Sequence, residues 1–184
     1  PDAVFHNGKQ VTAAEVKKAW EFAAWPENQV AWGGFLLHAR KIAGMEDVEF
    51  GDSPEASGLV AIDDITLEIQ MAEFDATFPL QLTVWMFGIQ DVDYALQNPD
   101  TWLQSPVGVG PYRVTQIDAT SGDAELTLAD NWWGPDPSLQ GIVLPAVQDL
   151  QTNFIIYENG ETDLLFADDV RQPQVHDPDH PLFP

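Results

Sequence analysis

The chain has 184 residues, 45% of them hydrophobic, which is enough to bury a core and excludes a disordered tail. Seven basic residues stand against thirty acidic ones, a formal charge of -23 that repels phosphate backbones and anionic lipid and so excludes nucleic acid and anionic membrane surfaces as partners. Without cysteine there are no disulfides, zinc-thiolate sites or thiol nucleophiles, and no apolar run approaches the length of a membrane span.

Pro1 leads straight into Asp2-Ala3-Val4-Phe5-His6 with no charged or apolar leader, which reads as a trimmed start. Thr12-Ala13-Ala14-Glu15 has the capping-box pattern, and Val16, Ala19, Trp20 and Ala23 follow at helical spacing until Trp25-Pro26 stops the helix. Residues 35 to 43 suit a short helix with Gly44 at its C-terminal cap, followed by a Gly-, Ser-, Pro- and acid-rich loop to Gly58.

Ile65, Leu67, Ile69 and Met71 alternate with polar residues, the pattern of a strand with one buried face. Phe78 to Phe87 is almost wholly apolar and fits a buried helix or strand. Asp91 to Asn98 fits a helix closed by Asn98-Pro99-Asp100. Tyr112 to Ile117 and Ala124 to Leu128 form a hairpin around the Gly122 loop. Leu150, Phe154 and Tyr157 mark a helix ended by Asn159-Gly160, Thr162 to Phe166 reads as a last strand, and the chain beyond Asp169 is Pro-rich and polar. The acids are scattered rather than blocked, the composition of a solvated surface and also of a high-salt protein.

Four ordered stretches resemble family 5 of the bacterial solute-binding proteins, the group of oligopeptide-, dipeptide- and nickel-binding proteins. Phe5-His6-Asn7-Gly8 before Val11-Thr12-Ala13-Ala14-Glu15-Val16 is similar to FHDG followed by LTAEDV, with Asn7 in place of Asp. Ile42, Gly44, Gly51, Gly58-Leu59, Ile62-Asp63 and Thr66-Leu67-Glu68-Ile69 match the excursion before the next strand. Pro106-Val107-Gly108-Val109-Gly110-Pro111-Tyr112 is similar to VGTGPY, with Val109 where Thr is common. Asn131-Trp132-Trp133-Gly134 and Asn159-Gly160-Glu161-Thr162-Asp163 complete the set.

The resemblance implies an α/β (α+β mix) fold: a fragment of the first lobe of a periplasmic-binding-protein type II-like, two-lobed clamp. Its expected parts are residues 1–104, a first-lobe sub-domain of helices and a small sheet; 105–170, part of the main first-lobe sheet; and 171–184, a Pro-rich linker toward a missing second lobe. The function it implies is the substrate-binding component of an ABC importer. Such a protein binds peptides or a similar small solute outside the cytoplasmic membrane, delivers them to the permease and catalyses nothing. A lipid anchor on the full-length, periplasmic or extracytoplasmic protein is expected, with the lipoprotein cysteine upstream of Pro1. The solute stays open among dipeptide, oligopeptide, nickel complex, sugar oligomer and opine.

In relatives, ligand-facing positions of this lobe fall near the segments that hold Trp32 to Phe35 and Val84 to Phe87 here, so the resemblance makes Trp32, Phe35, Trp85 and Met86 the candidates, suited to stacking and to an adaptable apolar wall, with core packing as the alternative for each. Trp132 and Trp133 read as a packing turn. His176 and His180 flank Asp177 and Asp179, but Pro178 prevents the helix that would align them on a metal. His6 and His38 have no nucleophile at a recognisable spacing and read as structural. Asp63-Asp64 and Asp168-Asp169 are carboxylate pairs of a kind that arises by chance in so acidic a chain. No catalytic residue, cofactor or metal is expected. The rival reading is an acid-dependent hydrolase or a free-standing protein-interaction module.

Overall fold

In a computed structural model that describes residues 2–28, 38–147, 149–165 and 178–179, the Met86 side chain apart, Thr12 begins the first helix, α1 (Ala13–Ala24). The Thr12 hydroxyl accepts from the Glu15 amide at 3.4 Å, satisfying one of the free donors of the first turn. The Glu15 carboxylate turns instead to Lys9. Ala19, Trp20 and Ala24 are buried and Val16 and Ala23 pack beside them, the inward stripe that the spacing predicts.

Of the expected helix over 35–43, residues 35–37 lie outside the described residues, while His38 and Ala39 are helical. Gly44, at φ +76°, also opens a second helix, α2 (Met45–Phe50), where a loop was expected. Met45 and Val48, three apart and fully buried beside Ile42, are what fold this stretch; the Gly, Ser and Pro run that follows had masked them. Gly58 sits at a backbone junction, donating to Ala43 O at 2.7 Å and accepting from the Gln70 amide at 2.8 Å, and a Cβ there would lie 2.5 Å from Gln70 O.

Strand β1 (Leu59–Asp63), not foreseen, pairs antiparallel with β2 (Thr66–Ile69), which was, in the register Leu59 to Ile69 and Ala61 to Leu67. Only Leu59 of β1 is buried, so the strand lacks the alternation that betrays its neighbour. The apolar run 78–87 is neither one helix nor a strand, and it is not wholly buried. It divides into a short helix, α3 (Phe78–Gln81), and a 3-10 turn (Trp85–Phe87), leaving Leu80 exposed. Helix α4 (Val92–Gln97) starts on Asp91, whose carboxylate accepts from the amides of Asp93 and Tyr94, and ends at Asn98 as expected.

The core lies where α1, α2, β1 and the 3-10 turn meet. Phe87 stands edge-on to Trp20 (centroids 5.2 Å apart) and to Phe78 (6.3 Å), and the Trp20 indole donates to Phe87 O at 3.1 Å. Burial of Phe87 contributes about 1.5–3 kcal/mol, and it fixes the direction of the turn that carries it.

A second sheet has the order β3 (Tyr112–Ile117), β4 (Ala124–Leu128), β5 (Gly141–Leu144). The β3–β4 hairpin is the predicted one: the Asp118 carboxylate accepts from the Thr120 and Ser121 amides, and Gly122 takes φ +84°. Strand β5 was not foreseen.

The chain divides into two compact units, residues 1–117 with 125–143 and residues 118–124 with 144–184. The second contains helix α5 (Leu150–Glu158), capped by the Asp149 carboxylate on the Thr152 amide at 2.7 Å and closed by Gly160 at φ +73°, as the sequence indicated. Residues 162–165 are not a strand, against expectation. No ladder partner holds them among the described residues, and Phe166 lies outside those residues. Among the described residues no helix is long and apolar enough to cross a membrane.

Candidate functional site

Of the four residues expected to face a ligand, Trp32 and Phe35 lie outside the described residues, as does the side chain of Met86. Trp85 is on the 3-10 turn with 72% of its surface exposed. With three residues per turn, positions two apart point in different directions, so burying Phe87 turns Trp85 outward. The indole is carried by a rigid element whose anchor is in the core, the arrangement a stacking surface needs.

Three of the four sequence stretches converge on the N-terminal turn. Phe5 donates its amide to Lys9 O at 2.8 Å, and Gly8, at φ +85°, donates to Phe5 O at 2.8 Å. The His6 amide donates to Gly108 O, and the His6 ring lies between Gly108 N, 3.4 Å from Nδ1, and Gly110 O, 2.9 Å from Nε2. Asn131 donates to Phe5 O at 2.8 Å. The glycine loop is held from its other side by the Asp91 amide on Val107 O, at 2.9 Å. His6 is thus structural, as read, with a partner in the backbone of the VGVGPY stretch.

Asn7 explains its own departure from the family pattern. Its amide donates to Asp91 Oδ2 at 2.7 Å, and Asp91 is 3% exposed. An aspartate at position 7 would set two carboxylates against each other there.

Lys9 Nζ reaches Glu15 at 2.9 Å, Asp91 at 3.0 Å and Asp93 at 2.7 Å. These three carboxylates lie within 4.8 Å of one another, close enough to hold a metal, and the cation that fills their centre is the lysine ammonium. Burial alone would lower the Lys9 pKa, but its hydrogen bonds to Asp93, Glu15 and Asp91 outweigh this and raise it. Burial likewise would raise Asp91, and the hydrogen bonds from Asn7 and Lys9 hold it below the usual carboxylate range. Asp93, bonded to Lys18 and then Lys9, is lowered to about 2. No local pattern marks this network, because the carboxylates lie 6 to 84 residues from Lys9; Asp91 ahead of Val92 is the one local signal, as a helix cap.

Two clefts flank Arg113. One, of about 350 Å³, is lined by His6, Asn7, Gly8, Arg113, Asp130 and Asn131. The other, of about 380 Å³, includes Arg113, Thr127, Asp130, Trp132, Asp136 and Gln140. The Trp132 indole donates to Pro135 O at 2.7 Å, and its ring covers Gly134, where a Cβ would come within 2.3 Å of it. Asp63 serves the β1–β2 turn, accepting from the Ile65 amide at 2.9 Å. His176, His180 and the Asp168-Asp169 pair lie outside the described residues.

The fold is a mixed helix-and-sheet lobe of the periplasmic binding-protein kind. The substrate-binding domain of the oligopeptide ABC transporter from Bacillus anthracis superposes with a TM-score of 0.75 at 23% identity, over 96% of this chain and 35% of that one. The murein tripeptide binding protein of Escherichia coli superposes with a TM-score of 0.77 at 18% identity, over 96% of this chain and 35% of that one. Heme-binding protein A of Haemophilus influenzae is 29% identical over 115 residues, which is 59% of this chain and 21% of that protein.

Residues 1–179 match the family described as bacterial extracellular solute-binding proteins, family 5 Middle, and the chain belongs to that family. It spans about a fifth of the length of the heme-binding relative and about a third of each solved structure.

Proposed function

We propose that this chain is part of the first lobe of the substrate-binding component of an ABC importer. The whole protein takes up a peptide or similar small solute outside the cytoplasmic membrane and presents it to the permease, closing on its ligand and catalysing nothing. The observation that carries this reading is the family match across residues 1–179. Neighbours described as oligopeptide and murein tripeptide binding proteins support a peptide as the solute. A lipid anchor and the division at 104/105 and 170/171 belong to the same proposal.

Trp85 is the stacking surface this lobe contributes, together with Trp32, Phe35 and Met86. Among the described carboxylates Asp63 accepts from a turn amide and Glu15, Asp91 and Asp93 are paired with Lys9, which favours the binder over the rival hydrolase.

The test is native mass spectrometry of the full-length protein as purified, followed by thermal-shift screening with peptides, sugars, metal chelates and haem. A co-purifying peptide that leaves on denaturation, with Trp85→Ala weakening its binding at unchanged stability, is the expected result. An empty protein that no member of the panel stabilises would sink the reading.

A further inference from the structure

We propose that His6 is a proton-operated catch between the N-terminal turn and the glycine loop 106–110, closed when the imidazole is neutral and loosened when it is charged. This goes beyond the solute-binding reading and stands on contacts within residues 5–131.

Both ring nitrogens face the same loop. Nε2 is 2.9 Å from Gly110 O, a carbonyl that only a donor can satisfy, and Nδ1 is 3.4 Å from the Gly108 amide, which only an acceptor can satisfy. One species meets both demands: the neutral ring carrying its hydrogen on Nε2. Adding a proton to Nδ1 leaves the Gly110 contact in place and turns the Gly108 contact into two hydrogens face to face. The Gly108 amide then loses its side-chain acceptor, and an N–H left without one in a half-buried place is costly.

The loop is ready to respond, because its remaining ties are few. Among the described residues the His6 amide donates to Gly108 O, and the Asp91 amide donates to Val107 O within the isolated Gln90–Gly108 bridge. Gly108 and Gly110 carry no side chain that would hold the loop by packing.

Arg113 and Asp130 line the adjoining cleft, and the nearby Asp91 is already met by Asn7 and Lys9. Within that cleft Arg113 lies 4.0 Å from Asp130, which is 96% exposed. No carboxylate hydrogen-bonds the ring to hold it charged among the described residues.

The experiment uses the full-length protein, labelled with nitrogen-15, and two readouts followed from about pH 8 to about pH 5.5. Ring-nitrogen spectra are expected to show His6 as the Nε2–H tautomer at the upper end. Hydrogen exchange at the Gly108 amide, corrected for its intrinsic pH dependence, is expected to accelerate about three- to tenfold as the ring titrates, the equivalent of one net hydrogen bond. His6→Gln retains a donor near Gly110 but cannot titrate, so its Gly108 exchange is expected to be flat with pH. An Nδ1–H tautomer, unchanged Gly108 exchange in the wild type, or a pH dependence that persists in His6→Gln would each overturn the proposal. If His6→Gln does not fold, the wild-type tautomer and exchange decide alone.

Discussion

Replacing Lys9 by methionine removes the one cation at the centre of Glu15, Asp91 and Asp93 while keeping the length and most of the volume of the side chain. Asp93 retains Lys18, and Glu15 is at the helix N-terminus, where a negative charge is welcome. The damage falls on Asp91, which is 3% exposed and keeps only Asn7 and the amides of its own helix. Removing one member of a fully buried pair costs about 3–5 kcal/mol, and of an exposed pair about 0–1 kcal/mol. Lys9 is 31% exposed, so the loss at neutral pH should be about 2 kcal/mol, between those limits.

The pH dependence gives a second constraint. Asp91 and Asp93 have folded pKa values below the ordinary one, so their contribution is present above about pH 4 and disappears as the pH falls through the folded values, about 2 for Asp93. Lys9 has a raised pKa, and its share is lost only far into the alkaline range. The gap between wild type and Lys9→Met, measured by urea denaturation at fixed salt, should therefore be full at neutral pH and narrow from about pH 4 downward. A gap under about 0.5 kcal/mol at neutral pH, or one that stays constant on acidification, would refute the assignment of Lys9 as the counter-ion of Asp91.

Asn7→Asp should lower stability at neutral pH by about 1–3 kcal/mol and recover on acidification, because a carboxylate would replace the amide donor 2.7 Å from Asp91; chemical denaturation at two pH values checks this. Gly58→Ala should cost about 2–3 kcal/mol by driving a Cβ into Gln70 O and Ala43, whereas Gly8→Ala, with φ +85° and open space around it, should cost about 1 kcal/mol; equal losses in urea melts would contradict the packing at Gly58. Raising the salt from about 0.1 M to about 1 M shortens the screening length from about 10 Å to about 3 Å, and with a net charge of -23 the relief of repulsion should outweigh weakened surface pairs and raise the melting temperature; a fall would count against it.

The elements legible in the sequence were those whose own residues state the pattern. Leu67 and Ile69 alternate with Thr66 and Glu68, Asp91 and Asn98 bracket their helix, and Gly122 and Gly160 stand where the backbone turns left-handed. Strand β1 escaped because four of its five residues are exposed and its place depends on β2. The last expected strand failed for the converse reason: Thr162 to Leu165 have the composition but no ladder among the described residues. The Trp85 turn could be placed but its direction could not, because that is set by Phe87 packing on Trp20, 67 residues away. Larger separations, 104 and 82 residues, hid the His6–glycine-loop contacts and the Lys9 centre.

A surface lysine is ordinarily the residue that can be modified without consequence. Here all four lysines, Lys9, Lys17, Lys18 and Lys41, are ion-paired to carboxylates on other segments, so each is a cross-brace of the fold. Acylating dyes, biotin esters and aldehyde fixatives would therefore cut a brace at any of these four positions. Immobilisation or fluorescent tagging of this chain is better directed to an introduced cysteine, since residues 1–184 hold no competing thiol.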